Sequence, residues 1–437
     1  MLRSSIWRTR ELIRSPFTRS VGSMMAYTAI GQSVYLLTGP LLGRFFTPAE
    51  FGLYGLFYTF AVTAAGLMFL NYDFAIPAAA NEDDARRLTI ASGAIVLIAV
   101  PLIGILLALL SWQEIGGFGD LPPSCALLLI ALLFAQAMVQ LCQNWMIRED
   151  RTIVIGKASV TLNLARGITQ VGTGLIGASW GGLASGELAG RIANLWHLAR
   201  YRKWQGLYLA CRRYPRADLR ATLHRYNQFP LLLLPSQTLD SGVGFAQSAA
   251  LAYFFGPSGL GIFFLMRRTL DLPVAFVFRS LSDIFYARQA RDVRFAPDRV
   301  RPFFMRSVLL LAGAGTLVGV PLMIASPALF ALIFGPEWRQ AGVLAAIMAP
   351  AAIMNLAVAP VARVFALTTK PHLRFWFSAA NLGGTLLALL SVKLLALDLV
   401  GATIALSIAT FVAYVVYFVA GYVASAALLP PEPVAEQ

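Results

Sequence analysis

Between Ser20 and Leu428, polar loops cut the chain into twelve runs, each long and apolar enough to cross a bilayer. A spanning helix needs about 20 mostly apolar residues. In lipid a backbone must satisfy its own hydrogen bonds, which helices do within one segment. The runs cover about 20–45, 51–79, 88–111, 122–147, 152–179, 181–200, 230–255, 259–286, 303–334, 340–368, 373–396 and 400–428. They predict an all-α polytopic membrane protein. Charged residues make up only 13% of the chain, against about 25% in soluble domains. The arginines at 3, 8, 10, 14 and 19 resemble the start of a secretory signal. The apolar run after them exceeds a signal's h-region and no A-x-A-like site closes it, so it reads as an uncleaved first span.

The net charge of +14 raises nucleic acid as a partner. The distribution argues against it, because Lys and Arg cluster in alternate short loops. Sorted by loop, twenty-five fall on one side and three (Arg44, Arg339, Lys393) on the other. The positive-inside rule makes the basic side cytoplasmic, with both termini there. The expected site is the bacterial inner membrane. Three cysteines and three histidines show no disulfide framework or metal-ligand spacing, so no metal and no cofactor is expected. An enzyme such as a sugar polymerase or ligase needs a site outside the bilayer. The loop on the less basic side, Trp112–Pro123, is too short for one, and no Ser/His/Asp constellation occurs.

The basic segment 201–229 separates an N-terminal lobe, 1–200, from a C-terminal lobe, 230–437, each with six runs. Within it YPRADLRATLHRY places Leu219, Leu223 and Tyr226 on one helical face. Two readings stand: an interfacial helix on anionic lipid, or a solvated linker. The halves echo each other. FFTPAEFGLYGLF at Phe45 aligns with FFGPSGLGIFFLM at Phe254, Asp73 with Asp283, and Asn163-Leu164 with Asn381-Leu382. An even number of runs per half makes the repeats parallel. The expected architecture is about twelve transmembrane helices in two six-helix lobes around a central cavity.

Charge at bilayer depth is costly, roughly 2.5–3.5 kcal/mol per group on insertion scales, and faces a bundle interior or a wet cavity. The stretch Phe254–Arg288 carries Arg267, Arg268 and Asp271 near its middle and Arg279 and Asp283 beyond. Arg166 lies in the fifth run, Glu187 and Arg191 in the sixth, and Asp240 in the seventh. In one reading Arg267, Arg268, Arg166 and Arg191 are the cations of an anion site, since guanidinium binds phosphate bidentately and stays charged when partly buried. A pyrophosphate would then draw an arginine away from a carboxylate, giving the ligand a differential affinity for one state. In the other reading they are structural ion pairs, Asp271 with Arg267 or Arg268 and Glu187 with Arg191. Asp73, Asp240 and Asp271 are candidate coupling carboxylates for H+ or Na+. Gln136, Gln140, Gln143 and Asn144 form a polar stripe in the fourth run, either cavity lining or interhelical glue. Pro40, Pro101, Pro273, Pro321, Pro350 and Pro360 permit kinks.

The segments GQ…L..PLLGRFFTPAEFGLYGLF, DFAIPAAANEDDARRL and LDSGVGFAQSAALAYFFGPSGLGIFFLMRR, the last followed by LPVAF, resemble Wzx-type polysaccharide flippases. That family shares a superfamily with the MATE drug exporters. The resemblance implies two six-helix lobes around a cationic cavity. It also implies transfer of a polyprenyl-pyrophosphate-linked oligosaccharide to the periplasmic leaflet by alternating access, for surface polysaccharide such as lipopolysaccharide or exopolysaccharide. The lipid-linked oligosaccharide and membrane lipids are the expected partners, with a polysaccharide polymerase and chain-length machinery as candidates. The family has no strict binding motif, so the arginine assignments rest on position alone. The alternative is a MATE-like exporter of drugs or metabolites. Its organic cations would favour a cavity rich in acids and aromatics, whereas here deep arginines match or outnumber deep acids.

Overall fold

Lipid offers the backbone no hydrogen-bond partners, and this chain meets that condition with helices. The structure is a computed structural model describing residues 16–201, 214–369 and 373–428. The arginines at 3, 8, 10 and 14, residues 202–213 of the basic segment including Cys211, and Lys370 and His372 lie outside the described residues. So do the side chains of Arg19, Arg279, Asp283 and Arg363. The helices are α1 Pro16–Phe45, α2 Pro48–Leu67, α3 Glu82–Trp112, α4 Cys125–Arg148, α5 Thr152–Leu175 and α6 Trp180–Ala199. The short α7, Arg216–Arg225, leads into α8 Gln228–Phe295, α9 Val300–Phe334, α10 Arg339–Val358, α11 Leu373–Leu394 and α12 Leu399–Ala424.

Helix α8 is broken at Gly256, whose φ of 67° and ψ of −177° belong to a region only glycine enters readily. It therefore holds two segments, α8a (228–255) and α8b (257–295). The described residues thus contain twelve long helical segments at the twelve apolar runs. Seven described helices are long and apolar enough to span by themselves, or eight when α2 is joined to the turns after it. Segments α5 and α6 fall short because they carry Lys157, Arg166, Glu187 and Arg191, and α1 because it is rich in Ser, Thr, Gln and Gly; the described stretch Gln228–Asp271 counts as one span. Leu97, Ile98, Leu310, Leu317 and Ile324 are each more than 60% exposed. Apolar surface on that scale has to face lipid. The protein is a multi-pass membrane protein.

The chain divides into two compact units, Met1–Thr238 and Leu239–Gln437. In the first, α1 packs along α5, α5 along α6, and α6 against α4 and α2. Phe51, Tyr54, Phe57 and Trp145 are buried in its core. Helix α2 starts with a capping box, in which Thr47 accepts from Glu50 N while its own N–H donates to Glu50 Oε2 at 2.8 Å. It does not run on to residue 79 as the apolar run suggests. It stops at Leu67, Leu70 and Asn71 take positive φ, and the chain turns by 56° into Tyr72–Ala78. The physical reason is polar: the turn buries Asp73 and presents the carbonyls of Ile76, Pro77 and Ala79 to Arg148.

Helix α7 packs on α3, and its inward face is not lipid-facing. Thr222 and Tyr226 are buried and Leu219 and Leu223 half-buried. The Tyr226 hydroxyl receives Ala80 N–H at 3.3 Å and contacts Asp84 Oδ2 at 3.4 Å. Arg225 pairs with Asp84 at 3.1 Å and Tyr214 donates to Asp83 at 2.6 Å. This side of the basic segment is docked on its own unit, which neither sequence reading foresaw.

In the second unit α9 packs on α10, α10 on α12 and α11 on α12. Its core gathers Val300, Phe304, Val308, Val358, Val361 and Val364. The tenth run also ends sooner than its apolar length suggests. Helix α10 stops at Val358 ahead of Pro360, which cannot continue it, and the chain passes into the tight turn Ala362–Leu367.

Candidate substrate and coupling sites

The deep charges of the first unit converge on one carboxylate. Glu187 on α6 is fully buried. Its Oε1 accepts from Tyr54 of α2 at 2.8 Å and from Arg166 of α5 at 3.1 Å, and its Oε2 from Arg191 one turn on at 2.6 Å. Arg166 also donates to Asn163 and stacks on Tyr35, its guanidinium carbon 3.8 Å from the ring centre. Arg191 donates from Nε to Gln136 of α4 at 3.0 Å. Small residues make this possible. A Cβ on Gly190 would lie 2.9 Å from the Leu162 carbonyl and 3.0 Å from the Arg166 Cβ, so α5 approaches α6 only because that atom is missing. Glu187–Arg191 matches the expected i,i+4 pair. The Arg166 bond to the same carboxylate was not visible from spacing, being 21 residues away. Arg166 is 6% exposed and the Arg191 side chain 15%. Both are engaged inside the unit.

A second buried carboxylate has a different setting. Asp73, 1% exposed, accepts from Gln140 at 2.8 Å and Asn144 at 3.3 Å, both on α4. The polar stripe of the fourth run is thereby accounted for at three positions, Gln136 serving Arg191 and the other two serving Asp73. Asp73 lies at the turn after α2, and these two partners are neutral amides rather than a guanidinium.

The second unit contains a small open pocket. Its volume is about 80 Å³, and its lining includes Gln247, Arg267, Asp271, Asn355, Asn381 and Tyr414. Arg267 on α8b donates from Nη1 to Gln247 Oε1 of α8a at 2.9 Å and from Nε to Asp271 at 3.4 Å. Their side chains are 34% and 58% exposed. The expected pairing is therefore with Arg267. Arg268, one residue on and about 100° round the helix, is half-buried and not part of the lining. Asp240 is exposed on α8a, near enough to Tyr414 and Tyr417 to act on them electrostatically. Sequence reasoning did not pick out Gln247, Asn355, Thr410 or Tyr414. Lone polar residues in apolar runs are the signal they leave, but that signal does not say which cavity they share.

The sequence profile of a family described as "Polysaccharide biosynthesis protein" matches residues 41–343. The chain belongs to this polysaccharide biosynthesis family. No curated protein sequence matches it significantly. Among solved structures it is similar to the lipid II flippase MurJ in an inward closed conformation, with a TM-score of 0.62 at 10% identity, covering 92% of this chain and 89% of that one. It is also similar to a multidrug resistance MATE family transporter in an inward-facing conformation, with a TM-score of 0.61 at 15% identity, covering 89% and 93%. A third is a MOP superfamily transporter from Pyrococcus furiosus whose binding pocket is described as having reverse polarity, with a TM-score of 0.53 at 14% identity, covering 94% and 96%. At these identities the likeness gives the fold. This polysaccharide biosynthesis family member has the all-helical transporter and flippase fold.

Proposed function

We propose that the protein moves a polyprenyl-pyrophosphate-linked oligosaccharide from the cytoplasmic to the periplasmic leaflet of the bacterial inner membrane by alternating access. The reading joins the family to one observation. Arg267 is a guanidinium on an open pocket, about one-third exposed, held by the buried Gln247 on one side and by the exposed Asp271 on the other. A planar fork in that state can take a phosphate bidentately. Arg166 and Arg191, already bonded to Glu187, serve in this reading to hold the first unit together. The basic loops support cytoplasmic termini. A polysaccharide polymerase and chain-length machinery would be the next partners of the product. Arg267→Ala, at normal membrane abundance, is expected to stop surface polysaccharide appearing while lipid-linked precursor accumulates. Arg268→Ala, outside the lining, is expected to do less. Normal export by Arg267→Ala would sink the anion site.

Asp73 is the residue best suited to ion coupling, by H+ or Na+, because its recorded partners inside the unit are neutral amides. Asp73→Asn keeps the shape and removes the charge. It should abolish the dependence of transport on the ion gradient, and a gradient response unchanged from wild type would exclude the role.

The second reading is export of drugs or metabolites. The likeness to a multidrug transporter supports it about as well as the likeness to a lipid flippase supports the first, the TM-scores being 0.61 and 0.62. Deleting the gene separates the two. Loss of surface glycan supports flipping, and drug sensitivity with intact glycan supports export.

A further inference from the structure

Resting on that reading, we propose that Asp271 is an internal competitor for the anionic headgroup: it holds Arg267 between passages, is displaced by phosphate, and sets how readily cargo is released. The two sides of the Arg267 guanidinium are built differently. On one side stands Gln247, 2% exposed. Its Nε2 donates to the buried Thr385 hydroxyl at 3.5 Å, which leaves Oε1 to accept from Arg267 Nη1 at 2.9 Å. Burial of Gln247, together with its 2.9 Å bond, sets where the guanidinium sits. On the other side is Asp271, more than half exposed and 3.4 Å away, at the weak end of hydrogen bonding. An exposed i,i+4 pair of this kind shifts an equilibrium only about twofold. A phosphate group offers two aligned oxygens and more charge than one carboxylate, so it can take the Nε side without disturbing Gln247. The expelled carboxylate then faces the bound anion and repels it. At about 80 Å³ the pocket suits a phosphate group, and the glycan must lie outside it. Asp271 therefore weakens binding but keeps the complex from becoming too stable to turn over, while Gln247 is a positioning residue for the guanidinium.

The test titrates inorganic pyrophosphate into the full chain in lipid nanodiscs by calorimetry, alongside export in cells. Asp271→Asn is expected to tighten binding about two- to fivefold, somewhat more than the loss of one exposed pair, and to slow the appearance of surface polysaccharide. Asp271→Glu should return both to wild type, which separates a charge effect from a fold defect. Arg267→Ala should abolish binding. If Asp271→Asn binds as wild type does while Arg267→Ala does not bind, the competitor role is overturned and the anion site survives. If Arg267→Ala binds normally, or no variant binds saturably, both are overturned.

Discussion

Arg166 and Arg267 are guanidinium groups on long apolar segments, one in each unit, and they are held in opposite ways. Arg166 is sealed: a fully buried carboxylate, an amide and a tyrosine ring close around it. Arg267 is propped: a buried amide on one side and an exposed, more distant carboxylate of the pocket lining on the other. The difference teaches that depth in the sequence does not sort structural from functional charge. What sorts them is how many fixed partners each one has. A charge whose partners are all buried has been neutralised as part of the fold, whereas one with a replaceable partner keeps capacity for a ligand.

That contrast can be broken at its strong end first. Glu187→Ala should cost about 3–5 kcal/mol, because it leaves two guanidinium groups buried without their carboxylate. The expected result is a large fall in melting temperature or loss of monodisperse protein. A Glu187→Ala protein as stable as wild type would mean that Arg166 and Arg191 are not sealed at all. Next, Gly190→Leu should cost about 1–3 kcal/mol by overpacking and separate α5 from α6, seen as weaker thermal stability without a change at Arg267. On the propped side, Arg267→Ala should move stability by less than about 1 kcal/mol yet remove export; a large loss of folded protein would place it with Arg166. Smallest is Asp271→Ala, where a stability change within about 0.5 kcal/mol is expected in a thermal melt.

The same contrast explains what could be read in the sequence. Twelve apolar runs fixed the number of long helices, since backbone satisfaction in lipid leaves few options. Spacing also pointed to Glu187–Arg191 and left Asp271 to Arg267 or Arg268, because i,i+3 and i,i+4 neighbours share a helix face; the structure selects Arg267. Arg166–Glu187 and Asp73–Gln140 stayed hidden, being contacts between helices whose rotation about their own axes apolar sequence does not specify. The stop of α2 at Leu67 was hidden for a related reason. Leu70 and Asn71 look like ordinary span residues, and only the buried Asp73 and the reach of Arg148 from α4 show why the chain bends there.

Glu187 carries a mechanical consequence as well. Through Tyr54, Arg166 and Arg191 it knots α2, α5 and α6 at a single point, and Gln136 adds α4 to the same knot. Four helices tied at mid-length cannot slide past one another without tearing charged bonds in a dry interior. Under the proposed alternating access these four helices would move as one body, and the motion would fall to the segments this knot leaves untied.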